Sequence, residues 1–316
     1  MLGDKKKGAP ALKDLVEYDT RNRDYKHPAL QALGAWKSDL AVAYCTNALT
    51  AEKDSRLVDS CIMYLGAVGS KAAYGKMIRI MEKHDAYVVR ALGSLGEKKA
   101  VKVLEAYIAD NEAVSRKRIA AVVSLINLGQ DKWVGELEQC LKGDKPLTTK
   151  QKEKLAKKIA KAKKKGKKLK EKKKKVDEKL IQMAAMEATR ITNKKVAKRV
   201  TKALKAAAKA KDAKKWKGWV YATVALAQRG DKAAIKTVAA ELENPTEKIR
   251  KAIIDTIGGR YDVPHSNYMN RGLGVVADAS LLAAVYNYYD NEPKKADKTK
   301  ALKAAAHIRA TIDARK

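Results

Sequence analysis

Sixteen lysines and only two acids, Glu153 and Glu171, lie between Lys150 and Lys175, a charge of +14 in twenty-six residues. Such a run is either a solvated charge run that the fold tolerates or a grip on something acidic, in which the lysines would displace the counterions condensed on a polyanion. No fold needs such a run for its own stability, because like charges at helical spacing repel. The candidate contacts are Lys157, Lys158, Lys161, Lys164, Lys165, Lys168, Lys172, Lys173, Lys174 and Lys175. A second cluster runs from Lys194 to Lys215, and within it Lys195, Arg199 and Lys202 fall at four- and three-residue steps on one helical face. Val196, Val200, Ala203 and Ala207 take the opposite side, so a cationic stripe is backed by an apolar one.

The rest of the chain supports that reading. The 316 residues carry a net charge of +33, and +19 remains when the run is set aside. Lysine outnumbers arginine by 54 to 15, which suits neutralisation of phosphates better than bidentate reading of bases. Trp216 and Trp219 offer faces on which bases could stack, although indoles beside small apolar residues more commonly serve a core.

A third group of candidates sits where helical periodicity fails, between 258 and 280. Arg260, Tyr261, His265, Tyr268 and Arg271 supply donors and stacking faces there, either for a ligand or within a structural excursion between repeats. Gly272-Leu273-Gly274 is too short for a dinucleotide fingerprint and follows no strand.

Reaction chemistry is harder to find. His27, His84, His265 and His307 are far apart, and no GxSxG or P-loop occurs. The expectation is therefore of no catalytic residues, no metal and no cofactor, and of a protein that is not an enzyme. Cys45, Cys61 and Cys140 follow no metal-ligand spacing and sit in apolar stretches, as buried free thiols of a reducing compartment would. No run reaches the roughly 18 apolar residues of a membrane span. The start, Met1 to Lys7, has no apolar signal core, so the expected location is the cytoplasm, and an exported form shorn of its leader would read the same.

The elements that must carry these charges are helices. Val68-Gly69-Ser70-Lys71, Leu95-Gly96-Glu97-Lys98, Leu128-Gly129-Gln130-Asp131-Lys132 and Arg229-Gly230-Asp231-Lys232 each close one apolar helical stretch and open another. A glycine in that place fits the left-handed residue after a helix. Weaker copies end at Leu33-Gly34 and at Ile257-Gly258-Gly259. The spacing means one helix–turn–helix unit per period, an array in which each unit buries its apolar face against its neighbours.

These units resemble HEAT repeats. The second helix of that motif opens with a short turn and then a β-branched residue followed by arginine, as in Asn244-Pro245-Thr246-Glu247-Lys248-Ile249-Arg250 and in Asp85-Ala86-Tyr87-Val88-Val89-Arg90. The resemblance covers about 24–143 and 179–257. It implies an all-α, HEAT-like α-solenoid of antiparallel helix pairs, and it says little about function. HEAT-repeat hydroxylases that use a metal depend on His-Glu pairs, which are missing here. HEAT-like DNA glycosylases are basic solenoids too, and Trp216, Trp219, Arg250 and Asp255 could be imagined in their roles without a motif to match.

The expected organisation is N-terminal repeats over 1–143, a lysine-rich insertion over 144–178, and C-terminal repeats over 179–316 with an irregular loop at 258–280. Thr148 can cap a helix with Gln151 three residues on. Beyond it the lysine-rich insertion reads as a helical hairpin broken near Gly166, as one long helix, or as a disordered loop. The function expected is a grip on nucleic acid, DNA or RNA, through phosphates and with little sequence selectivity. The alternative is a scaffold for an acidic protein or a subunit of a larger assembly. A DNA glycosylase is the lesser alternative.

Overall fold

The computed structural model describes residues 5–18, 25–111, 115–146, 151, 154, 157, 160, 176–209, 211, 216–257 and 278–313. None of them lies in a strand. Their helices are α1 (Lys5–Glu17), α2 (Lys26–Ala35), α3 (Val42–Ala51), α4 (Ser55–Val68), α5 (Tyr74–Arg79), α6 (Met81–Leu95), α7 (Ala100–Asp110), α8 (Arg116–Asn127) and α9 (Val134–Leu141). After the lysine-rich segment come α10 (Glu178–Ala188), α11 (Lys194–Lys209), α12 (Trp216–Gln228), α13 (Lys232–Ala240), α14 (Glu247–Ile257), α15 (Ala279–Asn291) and α16 (Lys295–Asp313).

The even-numbered helices form one continuous row, each packed on the next from α2 to α16. Most odd-numbered helices lie against the even helix that follows, and α13 lies against α12 and α15. The result is a two-layer, all-α array of antiparallel pairs, a solenoid in which contacts run between neighbours. The row is not interrupted at the lysine-rich segment, because α10 packs directly on α8 and α9.

Small residues let the even row close up. A Cβ on Gly66 would come within 2.8 Å of the Ala91 backbone, and one on Gly93 within 2.5 Å of Ser124 Cα. Only glycine allows α4, α6 and α8 to approach this closely. Ser124, fully buried, closes the same contact by donating to the Val89 carbonyl at 2.8 Å.

The turn glycines behave as their spacing implies. Gly69, Gly96, Gly129 and Gly230 have φ of 75°, 73°, 86° and 83°. An added Cβ would meet nothing within 4 Å at any of them, so backbone conformation alone selects the glycine. At Gly69, Gly129 and Gly230 the amide and the one after it turn back onto the last helical turn, as in Ser70 N to Leu65 O at 3.0 Å. The first repeat departs from the expectation. Gly34 stays inside α2 and is buried, and the left-handed residue is Lys37, with φ of 51°. Ser38 N bonds Leu33 O at 2.9 Å in the same pattern, so a lysine occupies a glycine's place.

Three arginines donate to backbone carbonyls near helix starts or kinks. Arg90 donates to the Ala86 carbonyl, Arg118 to Ile108 O at 2.6 Å and Asn111 O at 3.1 Å, and Arg250 to Asn244 O at 2.5 Å. The Asn244 side chain accepts from Thr246 N at 2.8 Å and leads into α14. Cys45, Cys61 and Cys140 are buried free thiols. Among the described residues no helix is long and apolar enough to cross a membrane.

Candidate nucleic-acid interface

Helix α11 contains seven cations and no acid, and Lys194, Lys195, Lys198, Arg199, Lys202, Lys205 and Lys209 are all exposed. Val196, Val200, Leu204 and Ala207 are buried against the array. The apolar stripe thus passes through Leu204, with Ala203 at its half-buried margin.

Two of the seven cations are spent on neighbours. Arg199 grips Glu138 of α9 through Nε at 3.2 Å and Nη2 at 2.9 Å. Lys205 reaches Asp231, which caps α13, at 2.8 Å. The Lys205 hydrogen bond, helped by Ala234 N, holds the Asp231 carboxyl below its ordinary range. Lys194, Lys195, Lys198, Lys202 and Lys209 form no direct ion pair among the described residues. Beyond the helix, Lys211 is engaged by Glu241 and stands 5.0 Å from the Trp219 ring centroid.

The lysine-rich segment joins the array beside this helix, since α9 packs on α11. Asp177 N donates to Gly143 O at 3.1 Å, so the described residues on the two sides of the lysine-rich segment meet at one point. Lys145 and Asp177 add an ion pair at 3.5 Å across that neck. Inside the segment, Gln151, Lys154, Lys157 and Ala160 are helical and exposed. The other candidates, Lys158, Lys161, Lys164, Lys165, Lys168 and Lys172 to Lys175, lie outside the described residues, as do Thr148 and the loop group Arg260, Tyr261, His265, Tyr268 and Arg271.

Behind the surface a buried charge network, not anticipated from the sequence, locks the two sides of the neck together. Glu187 of α10 accepts from Arg90 Nη2 at 2.5 Å and Nε at 3.2 Å, from Arg116 Nε at 2.9 Å, and from Arg190 Nη1 at 3.0 Å. Burial alone would raise the Glu187 carboxyl, but Arg90, Arg190 and Arg116 overrule it and hold it far below the usual carboxylate range. Burial, with only partial relief from Glu187, pushes Arg116 and Arg190 down from the ordinary guanidinium value. Three cations on one carboxylate leave an excess of two positive charges under the interface. The sequence signal was an acid inside the apolar stretch Met186-Glu187-Ala188.

The residues imagined for base excision are not assembled for it. Trp219 is only 3% exposed and belongs to the core. Arg250 is turned to the Asn244 carbonyl, and Asp255 lies 3.6 Å from Lys300. A cavity of about 330 Å³ beside α15 does include Arg250, together with Glu243 and Glu292, whose charges do not suit a polyanion. Among the described residues no three His, Cys, Asp or Glu side chains converge as a metal would need.

No protein-family model and no curated protein sequence matches the chain. The chain is similar to a solved structure of human deoxyhypusine hydroxylase in complex with glycerol, with 14% identity, 96% of each chain covered and a TM-score of 0.42. That protein is an enzyme, which overturns the expectation that this one is not, and the expectation is withdrawn. A likeness at this level transfers no activity to this chain.

Proposed function

We propose that the chain is a HEAT-like array that grips nucleic acid through its phosphates, with little sequence selectivity. The observation that carries this reading is the exposed cationic face of α11, a helix with no acid of its own, beside the neck of the lysine-rich segment. Among the described residues five lysines on that face have no ion-pair partner to give up, so counterions would occupy them until a polyanion arrives. Residues 150–175 add +14 at the neighbouring point of the array. Lysine, a point charge, fits backbone contact and makes no demand on base identity. The HEAT-like assignment is supported by the antiparallel pairs and by the parallel roles of Arg90 and Arg250 at their turns.

The test is deletion of 150–175 with binding to duplex DNA and RNA measured by anisotropy. The deletion is expected to weaken both and to flatten their salt dependence. Equal affinity and an equal salt slope would overturn the proposal.

A further inference from the structure

The repeated turns carry a charge pattern that the α11 face does not explain. Five successive connections from an even helix to the next odd one, from α4–α5 to α12–α13, each place lysine at or just after the turn: Lys71, Lys98 with Lys99, Lys132, Lys194 with Lys195, and Lys232. All seven are exposed. Lys132 pairs with Glu105 at 2.7 Å, and the other six form no direct ion pair among the described residues.

These turns share one edge of the array, because the even helices run parallel in a single row. Side-chain bonds join three of them directly. Asn127 donates to Arg190 O at 2.9 Å and accepts from Thr192 N at 2.9 Å. Asn193 reaches Asp131 at 3.3 Å, and Arg229 reaches Ala188 O at 3.3 Å. The turns of α8–α9, α10–α11 and α12–α13 are therefore consecutive rungs.

The opposite edge differs in its acids. There Lys53 lies between Glu52 and Asp54, Lys83 follows Glu82, Lys179 follows Glu178, and Lys248 follows Glu247. On the first edge Glu97 precedes Lys98 and Asp131 precedes Lys132, but Lys71, Lys194 and Lys195 have no acidic neighbour in sequence, and Asp231 beside Lys232 is already taken by Lys205. Among the described residues the exposed large apolar side chains are Leu15, Tyr18, Leu40, Met63, Val176, Tyr286 and Leu302; none falls in these five turns, and Leu40 lies in the α2–α3 turn at the end of the same edge. A protein partner would need apolar anchors of that kind.

We infer that this edge is a linear track for a phosphodiester backbone, running along the array and including the start of α11. The inference rests on the nucleic-acid reading above and adds a path and a length to it. Five rungs at a helix spacing of about 8–10 Å span roughly 32–40 Å. At about 3.4 Å per base pair that is roughly 9–12 base pairs of duplex.

The test uses the full chain and a 24-base-pair DNA duplex, with anisotropy titrations across a range of salt. One variant combines Lys71→Gln, Lys98→Gln, Lys99→Gln and Lys232→Gln. A charge-matched control combines Lys53→Gln, Lys83→Gln, Lys179→Gln and Lys248→Gln. Circular dichroism confirms that both are folded. The track predicts that the first variant lowers the log–log salt slope by up to about 3.6, at about 0.9 per lost contact, and that the control lowers it far less. Equal losses in the two variants would overturn the track, as would an unchanged slope in the first. If deletion of 150–175 weakens binding while the first variant does not, the track falls and the broader function stands. If the parent chain binds no nucleic acid, both fall.

Discussion

Glu187→Gln is the most informative single change to the interior. The glutamine keeps the shape of the glutamate but loses the charge that Arg90, Arg116 and Arg190 share. One amide oxygen can still accept, while the amide NH2 would face a guanidinium that itself has only donors. Removing one partner from a buried charge pair costs about 3–5 kcal/mol. For 316 residues, unfolding entropy of about 2.1 cal/mol/K per residue gives roughly 0.66 kcal/mol/K. The melting midpoint should therefore fall by roughly 5–8 °C if the array melts as one unit. Adding Arg116→Leu should recover part of the loss, because one uncompensated cation is gone. The parent's pH dependence follows from the same contact. A carboxyl held below its ordinary value stabilises the fold above about pH 4.3 and loses that contribution as pH falls further. Glu187→Gln should flatten the acid limb of a plot of midpoint against pH. A midpoint within about 1 °C of the parent at pH 7, measured by differential scanning calorimetry, would refute the assignment of this network as the lock across the neck.

Three further outcomes are expected. Gly93→Ala places a methyl group 2.5 Å from Ser124 Cα, and should destabilise by about 1–3 kcal/mol in urea unfolding, whereas an unchanged midpoint would mean that α6 and α8 are not in tight contact. Lys37→Gly relieves a left-handed lysine and should raise stability by up to about 1 kcal/mol, read as a higher melting midpoint. Arg199→Gln breaks the link to Glu138, both partly exposed, and should change stability by less than about 1 kcal/mol.

The architecture was largely legible because it rests on local rules. Gly69, Gly96, Gly129 and Gly230 each mark a left-handed turn, and the apolar rhythm between them marks helices. The misplacement at Gly34 has a simple cause: backbone conformation is set by the whole turn, and Lys37 tolerates what glycine would prefer. In α11 the buried stripe runs through Leu204 as well, with Ala203 half-buried against the core beside it. The charge network was not legible, since it joins Arg90 to Glu187 across 97 residues. The same holds for the neck, where Gly143 meets Asp177 only because α9 and α10 pack together. The cationic character of α11 could be read from spacing alone, whereas the loss of Arg199 and Lys205 to Glu138 and Asp231 could not.

The salt dependence of nucleic-acid binding by the intact chain bears most directly on the central claim. Affinity for a DNA duplex should be measured between 50 and 300 mM salt. The five lysines of α11 without an ion pair among the described residues predict by themselves a log–log slope of about −4.5, and the lysine-rich segment should steepen it. A shallow slope near zero, or no measurable binding at the lowest salt, would contradict the account.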